Sequence, residues 1–170
     1  MPHGLDPNGR REAGHLQDLL FAELKRRRIY WKHFSSEMGW QPYVLSRWRS
    51  SDRNSRTPWV DEMEACWNRL GFTVIPEGRW LEIDRSKTRL SAGIHPVVCV
   101  LLAALEEREL SKEALASAAG LHRNTIGNMA AGKSRGKAWM VEVCFGVLGM
   151  PLRPRPLVLP KTSKSASSRG

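Results

Sequence analysis

Acidic residues are what this sequence is short of. Against 27 Lys and Arg stand 17 Asp and Glu, which leaves a formal net charge of +10 and a pI near 10.2. A surface with that excess draws in polyanions and releases their counterions on contact, so a nucleic acid is the first partner to expect. An anionic membrane would instead need a basic amphipathic helix or a long apolar span. Long apolar runs are missing as well. The longest, Pro96 to Leu105, reaches about half a bilayer crossing, so no membrane partner is expected. No charged-then-apolar leader opens the chain, and secretion is not expected either.

Cysteine is sparse. Cys66, Cys99 and Cys144 are widely spaced among apolar neighbours, with no CxxC or CxxH pair. That argues against a zinc site and for buried thiols in a reducing cytosol. Catalytic constellations are missing too. The five histidines are scattered, no Ser has a neighbouring base, and "GKSRGK" lacks the spacing of a phosphate-binding loop. The expectation is no enzyme, no metal and no cofactor.

What the sequence does contain is a duplication. The chain of 170 residues, 41% hydrophobic, suits one ordinary domain or two small ones. Residues 1 to 14 read as a loose polar arm, and "KTSKSASSRG" at the end as a disordered basic tail. Between them, Phe34, Met38, Leu45 and Trp48 align with Leu115, Ala119, Ile126 and Met129 at one constant offset, and Gly39 aligns with Gly120. Further on, "EACWNRLGF" aligns with "EVCFGVLGM", Cys66 on Cys144 and Gly71 on Gly149. The offset changes between the blocks, so the loop "SSDRNSR" makes repeat one three residues longer there. Helices are predicted over Val97 to Arg108, from Ser111, and over Lys137 to Leu148. In repeat one Leu16, Leu20 and Leu24 mark a helix face that ends in Lys25-Arg26-Arg27-Arg28. "TVIPEGRWLEI" reads as a short hairpin with Glu77-Gly78 at its tip. "PLRPRPLVLP", with four prolines, reads as an extended segment and a poor central strand.

The stretch "SAAGLHRNTIGNMAAGKSR" joins these elements. A glycine between two short helices allows a sharp turn through left-handed backbone. A small residue, Ala116 or Ser35, lets the helices approach closely. The second helix then presents its outer face, and such a helix fits the major groove of B-DNA. "LSKEALASAAGLHRNTIGNMAAGKSR" followed by "VEVCFGVLGM" resembles the lambda-repressor-like helix-turn-helix domains of the Cro/CI or XRE type. Residues 20 to 72 resemble the same family less closely, departing at Trp31, Tyr43 and the longer loop.

The resemblance implies an all-α fold of two tandem five-helix domains, the third helix of each reading DNA, with a short extended or hairpin segment after the first. The units are a flexible arm at 1–14, domain 1 at 15–76, a linker or hairpin at 77–93, domain 2 at 94–152 and a basic tail at 153–170. The resemblance places base reading on Arg123, Asn124 and Asn128 in repeat two, and on Gln41, Tyr43 and Arg47 in repeat one, where Pro42 takes the matching first position. Phosphate contact falls to Lys112, His122, Thr125, Lys133 and Arg135, and to Arg49, Arg53 and Arg56. The function this implies is a sequence-specific double-stranded DNA-binding transcription regulator, repressor or activator, of bacterial or phage type, cytoplasmic on the nucleoid. A homodimer partner, RNA polymerase or another regulator fits beside DNA. Two alternatives stand next to it: repeat one, rich in tryptophan, as a protein-interaction module, or the whole chain as a nonspecific nucleoid-binding protein. The all-round apolar run Val97 to Leu102 predicts a helix buried between the repeats or in a dimer.

Overall fold

The computed structural model describes residues 15–49, 56–77 and 93–157. The described chain is mostly helical and runs through one element order twice. Repeat one has α1 (His15–Arg26), α2 (Trp31–Glu37), α3 (Val44–Arg49), α4 (Val60–Arg69) and β1 (Phe72–Pro76). Repeat two has α5 (Pro96–Glu107), α6 (Lys112–Ala118), α7 (Thr125–Ala130), α8 (Ala138–Val147) and β2 (Leu152–Pro156). Among the described residues each repeat therefore has four helices and a strand. The expected fifth helix is replaced by a strand, and the fold is not wholly α. No described helix is long and apolar enough to cross a membrane.

Local signals explain the helix starts. The Ser111 hydroxyl accepts the Ala114 N–H at 3.0 Å and opens α6. At α5 the His95 Nδ1 accepts the Val97 N–H at 3.2 Å, and Pro96 takes the first position. In α1, Leu16, Gln17, Leu20, Phe21 and Leu24 form the buried stripe.

The expected hairpin of residues 73–83 is corrected. Its described part, β1, pairs with β2 of the other repeat in an antiparallel two-stranded sheet, Phe72 opposite Pro156 and Pro76 opposite Leu152. The rest of it, from Gly78 on, lies outside the described residues. The prolines of β2 are tolerated for a reason of register. Leu157 N–H donates to Gly71 C=O and Glu77 N–H to Pro151 C=O, both at 2.9 Å. Alternation then makes Thr73/Arg155 and Ile75/Arg153 the bonded pairs between them. Pro76, Pro154 and Pro156 fall on the intervening positions, where no N–H is asked for. They also deny their outer edges to a further strand.

The two repeats meet across a local pseudo-dyad. The offset that aligns Cys66 with Cys144 also relates Trp59 to Lys137 and Ile75 to Arg153, and both of these pairs lie directly opposite each other. Around the first pair, Val60 N–H donates to Gly136 C=O and Ala138 N–H to Pro58 C=O, each at 3.0 Å. Two equivalent carboxylates reach across the seam. Glu142 of α8 accepts the Leu16 N–H at 2.7 Å, and Glu64 of α4 pairs with His95. Because His95 Nδ1 is an acceptor, its Nε2 carries the proton donated to Glu64. Burial pushes the Glu142 carboxyl up to about 7, against the Leu16 N–H, which lowers it.

The cores of both repeats merge along this seam. Val97, Val98, Cys99 and Leu101 are buried, but α5 packs chiefly on α7 and α8 of its own repeat. Just before its first turn, His95 pairs with Glu64 of repeat one. Trp48 and Trp67 are buried, and Trp40 is partly buried with its ring 5.6 Å from Trp48. The three thiols are free and buried. Burial holds Cys144 up at about 12 and raises Cys66 as well.

Candidate nucleic-acid interface

The two glycine turns have the same construction. Gly39 and Gly120 sit at φ +72° and +67° with open space where a Cβ would point, so the backbone angle alone selects glycine. Gly120 N–H reaches Ser117 C=O at 3.1 Å and Leu121 N–H reaches Ala116 C=O at 2.8 Å. Gly39 and Trp40 do the same with Ser36 and Ser35. Ser35 and Ala116 are fully buried at the close approach. The inner faces are sealed by Leu45 and Trp48 in α3 and by Ile126 and Met129 in α7. The opposite faces of both helices are left open.

In repeat two, Arg123, Asn124 and Asn128 are all exposed on that open side. Arg123 and Asn124 stand in the turn just before α7, where the Asn124 N–H donates to His122 Nδ1 at 3.3 Å. Thr125 is half-buried, whereas Lys112, His122 and Lys133 are exposed. The loop after α7 folds back on it: Lys133 and Ser134 both donate to the Asn128 carbonyl, at 2.9 and 3.2 Å.

Repeat one offers a different surface. Gln41, Tyr43 and Arg47 are exposed. The Arg47 guanidinium lies over the Tyr43 ring at 4.6 Å, so the two form one flat cationic unit. Arg49 is drawn back between Phe21 and Trp31, 5.6 and 5.1 Å from their centroids.

Two further cations assigned to phosphate are paired with carboxylates of the chain itself, Arg135 across the seam and Arg56 within repeat one. Arg135 bonds Asp61 at 2.5 Å and lies over Trp59 of the other repeat. Arg56 pairs with Glu62, whose second oxygen accepts the Trp59 N–H. Arg53 lies outside the described residues. Lys137, at the seam, donates to Thr57 C=O at 3.0 Å and sits 3.5 Å over Trp59.

One positioning residue escapes the sequence reading. Gln17 is buried in α1, and its amide donates to the Trp48 carbonyl at 2.9 Å. It ties α1 to the last turn of α3. Its place inside the apolar stripe of α1 was the available signal, and Val98 holds the same place in repeat two. Gln17→Met is expected to lower stability by about 1 to 3 kcal/mol, since it leaves the Trp48 carbonyl without its donor. Urea unfolding measures this, and an unchanged midpoint would show that the bond carries no net stability.

Among the described residues no group of three or more His, Cys, Asp or Glu could hold a metal. Compared with known proteins, no family model matches the chain, and neither a curated protein nor a solved structure gives a match.

Proposed function

We propose that the chain is a sequence-specific double-stranded DNA-binding transcription regulator with two non-identical helix-turn-helix units. One observation carries this reading: a single chain holds two glycine-turned helix pairs about its own pseudo-dyad, each with exposed polar side chains on or just before its second helix. A chain built in this way does alone what a homodimer of such units does. The net charge supplies the attraction to phosphate.

The unlike reading sets imply an imperfect palindrome. Arg123 and Asn124 suit guanine and adenine edges, while the stacked Tyr43–Arg47 pair suits a second, different half-site. The half-sites should lie about 34 Å apart, one turn of B-DNA. The expected stoichiometry is one chain per site at low protein concentration.

The test starts from duplexes selected out of a random pool. Arg123→Ala is expected to cost about 1 to 3 kcal/mol on the selected site and to relax preference at one base pair; Arg47→Ala should do so in the other half. Lys133→Ala should weaken all sequences alike and reduce the salt slope. Equal loss on selected and scrambled duplexes for Arg123→Ala would remove base reading from repeat two. Failure of the random pool to yield any preferred site would favour nonspecific nucleoid binding.

A further inference from the structure

We propose that the chain docks head to tail on a second copy of itself, the corner between α1 and α2 of one copy seating on the corner between α5 and α6 of the next. The two corners share one backbone. Arg28 and Glu109 both have positive φ, +57° and +53°. Matching bonds close the turns: Arg28 N–H to Lys25 C=O and Ile29 N–H to Leu24 C=O in one, Glu109 N–H to Glu106 C=O and Leu110 N–H to Leu105 C=O in the other.

On that shared frame the charges invert. Lys25, Arg26, Arg28 and Lys32 occupy the positions that Glu106, Glu107, Glu109 and Glu113 hold in repeat two. All of these residues are exposed. Arg26 is paired with Glu23 of its own helix. The others form no ion pair with any described residue.

Shape complements charge. At the basic corner a hollow of about 770 Å³ is lined by Phe21, Ile29, Tyr30 and Trp31, with Lys25, Arg28 and Lys32 around it. At the tip of the acidic corner Leu110 is 42% exposed. Leu110 entering the hollow would bring Glu106, Glu109 and Glu113 against Lys25, Arg28 and Lys32. DNA would satisfy the basic corner but leave the acidic corner and Leu110 without a partner. A copy of this chain supplies both surfaces. The contact joins unlike patches, so it passes from copy to copy. It needs no DNA, and so stands or falls apart from the DNA-binding reading.

The test uses the full chain freed of nucleic acid, followed by sedimentation velocity across a concentration series. At low salt the mass should rise with concentration. At high salt, where the Debye length shrinks to about 3 Å, the chain should return to monomer. The variant Lys25→Glu/Arg28→Glu/Lys32→Glu has two acidic corners, and Glu106→Lys/Glu109→Lys/Glu113→Lys has two basic ones. Each alone should stay monomeric, and mixing them should restore association. Circular dichroism checks that both fold; if either does not, the single exchanges Lys25→Glu and Glu106→Lys are read in the same way. A monomeric parent chain at low salt, a charge-reversed variant that still self-associates, or a mixture that stays monomeric would overturn the proposal.

Discussion

Gly136→Ala is expected to lower stability by about 2 to 5 kcal/mol, the largest effect of any small substitution at the seam. Two costs combine. Gly136 has φ +79°, where a side chain costs about 1 to 2 kcal/mol. Its Cβ would also stand 2.6 Å from Met129 Sδ and 3.5 Å from a Val141 methyl. Met129 is buried, so its displacement is resisted by the surrounding core, and overpacking of this kind costs about 1 to 3 kcal/mol. The Gly136 carbonyl meanwhile accepts the Val60 N–H, so strain at this residue reaches the contact between the repeats. Gly132→Ala is the natural control. Gly132 has φ +70° but open space at its Cβ, so only the backbone cost remains. Denaturant unfolding of the two variants separates the terms. Equal losses would mean that Met129 moves aside freely and that packing adds nothing at Gly136.

Glu142→Gln is expected to stabilise the chain at pH 8 by up to about 3 kcal/mol and to have far less effect near pH 4.5. The sign follows from the direction of the shift. Burial raises the folded carboxyl to about 7 from an ordinary 4.5, aided by nearby Asp18 and opposed by the Leu16 N–H and Arg153. Below about 4.5 folded and unfolded chains both hold the proton. Between 4.5 and 7 the unfolded chain has released it and the folded chain keeps it, so stability falls as pH rises. Above 7 the folded state carries a buried charge and the whole penalty. Glutamine keeps an oxygen for the Leu16 N–H and removes that charge. Glu64→Gln should behave differently, because it weakens the pairing with His95 at the equivalent position. Urea midpoints at pH 5 and pH 8 decide the matter. A difference between parent and Glu142→Gln that does not vary with pH would refute the assignment.

Much of the helical pattern was legible locally. The helix expected over Val97 to Arg108 is α5, Pro96–Glu107, and the one expected over Lys137 to Leu148 is α8, Ala138–Val147. Apolar periodicity, the Ser111 cap and the glycines are short-range features, and helices answer to short-range features. The buried Ser35 and Ala116 and the left-handed Gly39 and Gly120 follow from the same logic of close helix approach. The exposure of Arg47 and Asn128 also follows from helical phase, once the inner face is known, while Gln41, Tyr43, Arg123 and Asn124 lie exposed in the turns before α3 and α7.

What the sequence determined by itself is the duplication, the charge excess, the glycine turns and the phase of each helix. Only the tertiary structure decided how the halves meet. A strand is defined by its partner, and the partner of Phe72–Pro76 lies in the other repeat, so a local hairpin was the nearest reading available. The prolines of Leu152–Pro156 discourage a strand until register places them where no N–H is needed. Arg135 looks free along the chain, and it is drawn to Asp61 of the other repeat because folding brings unlike charges together at the seam. Gln17 looks like a polar intrusion in an apolar stripe until the Trp48 carbonyl arrives beside it. In each case the deciding interaction joins residues far apart in the chain, which local periodicity does not encode.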